Sequence, residues 1–141
     1  MKQISSLLFV ALIFLCLGCG TTKGLNPIAL LTSNPWELSS LQGQEVDATK
    51  FPSGLPNLYF LDGGKLSGFT GCNNFSGGFS LESNGMQLDP GSITKKACPG
   101  TAEEEFISAL EKVKSYTVNK EKLILSDGIT ELMSFAVLKN Q

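Results

Sequence analysis

Short apolar runs, each closed off by glycine, asparagine or aspartate, follow one another along most of this 141-residue chain. Such spacing points to a mostly antiparallel β domain, because each run is strand length and each break is a turn. Trp36–Leu41 alternates loosely and forms the first predicted strand. Asn57–Leu61 and Lys65–Phe69 flank Asp62, Gly63 and Gly64, a hairpin signal because glycine reaches positive φ without a Cβ clash. Phe75–Leu81 and Met86–Leu88 flank a second turn at Ser83, Asn84 and Gly85, and Ser92–Lys96 supplies a further short strand. Tyr116–Val118 and Leu123–Ser126 flank the turn Asn119–Lys122. After Asp127 and Gly128, Thr130–Leu138 is the last strand; apolar residues on both its faces predict cover on both sides.

Between Pro99 and Tyr116 the period changes. Phe106, Ile107, Leu110 and Val113 share one helical face. Glu103, Glu104 and Glu105 suit the positive end of a helix, and Lys112 and Lys114 the negative end. Thr101 and Glu104 have capping-box spacing. The fold class is therefore mostly β with one helix: a small, strongly curved antiparallel sheet or barrel of about eight short strands, covered by the helix.

The N-terminus reads as an address. Lys2 precedes an uncharged apolar stretch, Leu7–Leu17, shorter than the roughly 18 residues a spanning helix needs. The stretch ends at Gly18 and Cys19, the small-residue-cysteine pair of a bacterial lipobox, although Cys16 stands where leucine is usual. This divides the chain into a lipoprotein signal peptide (1–18), a lipidated N-terminus and tether (19–33) and a folded domain (34–141). Acylation of Cys16, an ordinary secretory leader and an uncleaved anchor are the alternatives. Ile28–Leu31 is an apolar island in the tether that could instead dock on the domain. Acylated at Cys19, the protein is tethered to a bilayer, and two or more chains make that attachment stable.

Composition removes several function classes. The chain has no histidine, and all eleven of its basic residues are lysine. The commonest general base and transition-metal ligand is missing, as is the planar fork that grips carboxylate or phosphate. Lys2 leaves with the leader, so ten lysines face thirteen aspartates and glutamates, which gives no electrostatic case for nucleic acid. No catalytic residue, cofactor or metal site is expected, and the protein is read as a non-enzyme.

Cys72 and Cys98 are read as a disulfide, since two cysteines in a small exported domain more often pair than react. A free or redox thiol, catalysis and metal binding are the competing roles. The glycines at 68, 71, 77 and 78 sit in a strand-turn-strand context, which suits turns or bulges rather than a phosphate loop. Asn73 fits an αL position or a side-chain bond to a nearby amide. Asn73, Asn74, Lys95 and Lys96 are the candidate binding residues, and solvated surface is the plainer account of the lysines. The aromatics Trp36, Tyr59, Phe60, Phe69, Phe75, Phe79, Phe106 and Phe135 make either a packed core or the wall of an apolar cavity.

These residues carry a resemblance. Trp36-Glu37-Leu38, Asn57-Leu58-Tyr59-Phe60, Gly68, the block Gly71-Cys72-Asn73-Asn74-Phe75, Gly77, Phe79, Thr94 with Ala97-Cys98, Glu105-Phe106, Leu110, Tyr116, Leu123 and Leu125 together resemble the META-domain proteins, the HslJ-like family of heat-shock lipoproteins. The resemblance implies a compact lipocalin-like β barrel with one helix, an envelope location and a link to stress tolerance. It brings no catalytic site. The resulting expectation is a non-enzymatic lipoprotein of the bacterial cell envelope, anchored in the outer membrane with its domain facing the periplasm, that binds or protects envelope components. Its partners would be the membrane, through the anchor, and an unidentified envelope protein or small apolar ligand. Two other readings compete: a carrier using the barrel interior, and an inhibitor of an envelope hydrolase that presents Asn73 and Asn74 or Lys95 and Lys96 on an exposed loop.

Overall fold

The computed structural model describes residues 26–139 apart from Asn84. The leader, Cys16, Cys19 and the tether as far as Leu25 lie outside the described residues. Nine strands form one antiparallel sheet: β1 (Trp36–Leu41), β2 (Gln44–Glu45), β3 (Asn57–Leu61), β4 (Lys65–Phe69), β5 (Asn74–Glu82), β6 (Gly85–Ile93), β7 (Ser115–Val118), β8 (Lys122–Ser126) and β9 (Glu131–Val137). Their order is β6-β5-β4-β3-β1-β9-β8-β7, with β2 on the far half of β1. The sheet curls into a half-barrel until its two end strands approach at the bond from the Met86 N–H to the Lys114 carbonyl, 2.9 Å.

Among the described residues two α-helices accompany the sheet, α1 (Pro27–Thr32) and α2 (Ala102–Glu111), with a short 3-10 turn at Ala48–Lys50. The apolar island thus docks instead of trailing: Asn26 caps α1 by accepting from the Ile28 N–H, Pro27 opens its first turn, and Leu31 is fully buried. The Trp36 indole N–H then donates to the Leu31 carbonyl at 3.0 Å, tying α1 to the first strand. Helical structure is thus present at Pro27–Thr32, within the segment 19–33 read as tether. The α2 helix buries Ala102, Phe106, Ala109 and Leu110 and packs against β6 and β9. Its expected capping box does not form. Thr101 makes no side-chain cap bond and gives its hydroxyl to Glu105 at 2.8 Å.

Where the chain departs from the sequence reading, backbone detail is responsible. Ser92–Lys96 is not a separate strand. The run at Met86 continues through Pro90 to Ile93, because β6 is an end strand that can spare an N–H, and Gly91 at φ 61° accommodates the bulge. Gly77 faces this bulge, and a Cβ there would strike the backbone of Asp89 and Pro90. In the middle of β9, Met133, Ser134 and Phe135 are all buried, so both faces are covered. The second face is covered by hydroxyls: a bulge in β1 brings Ser39 and Ser40 within 3.0 and 2.6 Å of the Ser134 Oγ, and Ser40 also donates to Glu131.

The interior is one contiguous cluster. Trp36, Phe60, Phe106 and Phe135 are its largest fully buried side chains, with Leu38, Leu58, Leu66, Leu123 and Met133 around them. Phe79 meets Phe60 edge to face at 5.1 Å. Tyr59 leaves the expected aromatic core and lies exposed on the outside of β3. Trp36, Phe60 and Phe135, which would otherwise wall a cavity, are fully buried within this one cluster.

Candidate functional site

The two cysteine-bearing blocks meet beside the N-terminal end of α2. Between β4 and β5 the chain turns through Thr70–Asn73. The Thr70 N–H donates to the Asn73 carbonyl at 2.8 Å, and the Thr70 hydroxyl oxygen accepts from the N–H groups of Asn73 and Cys72 at 2.8 and 3.3 Å. This is a local side-chain-to-backbone loop of the kind serine and threonine favour. Gly71 takes φ 93°, with the Phe51 ring lying where its Cβ would be. Glycine is required there on both counts.

Asn73 is the centre of the site and is 4% exposed. Its Oδ1 accepts from the Lys96 N–H at 2.7 Å and from the Thr94 hydroxyl at 3.0 Å. Its Nδ2 donates to the Lys96 carbonyl at 3.0 Å and to the Glu103 carboxylate at 3.0 Å. The Glu103 Oε1 also receives the Thr70 hydroxyl at 2.5 Å. One carboxamide thereby clips the strap Thr94–Cys98 to the β4–β5 loop and fastens both to α2. Of the two roles expected for Asn73, the structure takes the bond to a nearby amide; Asn73 is not among the residues with positive φ.

The disulfide joins Cys72 to Cys98 alongside this clip, with Cα atoms 6.1 Å apart, inside the range such bonds occupy. Asn74 is exposed at the start of β5, where its backbone pairs with Thr94, and Lys95 and Lys96 are exposed on the strap. The candidate binding residues are therefore brought together in space, but Asn73 points inward. Thr70 and Glu103 complete the node and were not singled out from sequence. The Thr-x-x-Asn spacing offered a signal for Thr70. Glu103 had none, because helix-end electrostatics already accounted for the acidic triplet. Among the described residues no cluster of three or more metal-ligating side chains occurs.

Chemically the node is a brace. The amide protons of Asn73 and the hydroxyl proton of Thr70 are directed at partners within the protein, so none is displayed to a ligand. Asn73→Ala is expected to cost about 2 kcal/mol, because it leaves the Lys96 backbone and Glu103 without their partner. Asn73→Asp keeps the acceptor for Lys96 but sets a second carboxylate against Glu103. That variant should be destabilised at neutral pH and regain part of the loss as acid puts a proton between the two carboxyls, a trend that thermal melts from pH 7 to 4 would record.

Fold and site together define a curled antiparallel half-barrel, covered by one main helix and braced by a disulfide and a buried asparagine clip. The META domain sequence model matches residues 29–140, and the chain belongs to the META-domain family. No curated protein matches it. Three solved structures share the fold. One is an NMR structure of a protein, at 19% identity and TM-score 0.61, covering 80% of this chain and 96% of its own. Another is the crystal structure of a DUF4847 family protein from Bacteroides vulgatus, at 16% identity and TM-score 0.56, covering 79% and 96%. The third is an NMR structure of a protein from Burkholderia xenovorans, at 23% identity and TM-score 0.56, covering 82% and 90%.

Proposed function

We propose that the protein is a non-enzymatic lipoprotein of the bacterial envelope, held to the membrane by Cys19, that binds or protects envelope components under stress. The observation that carries this reading is the chain's division of labour. An export leader ending in Gly18 and Cys19 precedes a domain whose polar residues of greatest chemical interest brace the fold. A Cys72–Cys98 bond suits an oxidising compartment beyond the inner membrane. The stress role is what the resemblance to META-domain lipoproteins implies, and the chain belongs to that family. The absence of histidine from the sequence supports the non-enzymatic part. The inhibitor reading loses Asn73, which is buried and clipped rather than presented on a protruding loop.

A deletion strain complemented with variants tests this reading. Survival under heat and envelope-directed antibiotics is expected to return fully with the wild-type chain and with Lys95→Ala/Lys96→Ala, and to fall in Cys19→Ser. Full protection by Cys19→Ser at wild-type abundance would remove the anchor from the function.

A further inference from the structure

The half-barrel leaves a seam. Its end strands β6 and β7 are joined, among the described residues, by the single bond between Met86 and Lys114. Below that bond lies an open groove of about 540 Å³, lined by Leu81, Tyr116 and Val118 from the sheet and by Pro27 and Ile28 from α1. Ile28 is 50% exposed at its edge. A half-exposed isoleucine beside partly buried leucine, tyrosine and valine gives the groove apolar surface that hydrocarbon can cover, next to the polar Asn26, Glu82, Ser83 and Thr117.

The length of the connection to Cys19 says what covers it. Asn26 lines the same groove, and six residues separate it from Cys19. Fully extended, that connection reaches about 25 Å, whereas a domain of this size is about 35 Å across. With Cys19 in a bilayer the connection is too short to pass around the domain, so the seam side is held toward the membrane. Exposed Lys112 and Lys114 precede β7, and exposed Lys120 and Lys122 follow it. Glu111, Glu121, the groove-rim Glu82 and Asp127, whose carboxyl is held down first by the Thr130 N–H and in part by Lys114, match them in number, so the seam carries no net charge that would select an anionic lipid over a zwitterionic one.

We propose that the seam is a lipid-binding face: an acyl chain of a bilayer phospholipid enters the groove beside Ile28 and Val118. This inference rests on the anchor at Cys19 and adds a molecular partner to it. The test uses the full-length protein purified from membranes as Ile28→Cys, Val118→Cys and, as control, Tyr59→Cys. Tyr59 lies on β3, three strands from β6 and four from β7. Each introduced thiol carries a fluorophore, and vesicles of phosphatidylglycerol contain lipids brominated in mid-chain. Intact mass first establishes whether Cys19 is acylated. Strong quenching at residues 28 and 118 and little at 59 are expected, in zwitterionic vesicles as in anionic ones. In an acylated protein, equal quenching at all three sites or none at any would overturn the groove and leave the anchor standing. If the mass shows no acylation, the anchor reading fails. Quenching at 28 and 118 by added vesicles would still sustain the lipid site, and its absence would end it. Quenching between labelled copies without lipid would put a second copy in the groove and overturn the proposal.

Discussion

Trp36→Ala is expected to produce the largest loss of stability in the domain, about 4 kcal/mol, within the range for removing a buried tryptophan or phenylalanine. In a domain of this length that corresponds to a fall in melting temperature of roughly 15 °C. Trp36 is fully buried at the start of β1, where it lies opposite both Leu58 of β3 and Val137 of β9. Its indole N–H also holds the Leu31 carbonyl. The substitution therefore opens a cavity at the junction of the two halves of the sheet and unfastens α1 together. Trp36→Phe separates these effects. It keeps most of the bulk, loses the bond to Leu31, and should cost about 1 kcal/mol from the lost bond. Hydrogen exchange should show α1 amides exposed in Trp36→Phe while β1 and β9 stay protected. Unchanged protection of α1 would mean that Leu31 packing alone holds the helix.

The second large effect belongs to the disulfide. Cys72 and Cys98 are 26 residues apart, and on the chain-entropy estimate closing that loop is worth roughly 3 kcal/mol. Cys72→Ser and Cys98→Ser should lower the melting temperature by similar amounts, and the double variant should be little worse, since all three remove the same bond. Because Asn73 holds the Lys96 N–H and carbonyl independently, the strap should stay in place after reduction. Stress protection should survive wherever the domain stays folded. If Cys72→Ser abolished protection in a fully folded protein while Cys98→Ser did not, the Cys72 thiol would have chemistry of its own.

The parts of the fold legible in sequence were those fixed by local chemistry. The hairpin at Asp62 was readable because Gly63 and Gly64 both need positive φ, at 75° and 72°, and β3 and β4 fall on the predicted bounds. The α2 helix was readable because its apolar face has only one period. The full length of β6 was hidden: Pro90 and Gly91 look like breakers, and only their place on an end strand makes them tolerable. The α1 helix carried a start signal in Asn26 and Pro27, but at six residues it is too short to hold itself and depends on Leu31 and Trp36. At the site, the cysteine pairing followed from compartment and count, whereas Glu103 was invisible because its partners lie 30 or more residues away.

Acylation of Cys19 is the measurement on which the envelope account depends most directly. Cells expressing the full-length protein, grown with radiolabelled palmitate, should yield a labelled protein whose intact mass fits cleavage before Cys19 and acyl chains added there. Cys16→Ser should keep the label and Cys19→Ser should lose it. Label retained in Cys19→Ser, or an unlabelled wild-type protein released in soluble form, would contradict the account.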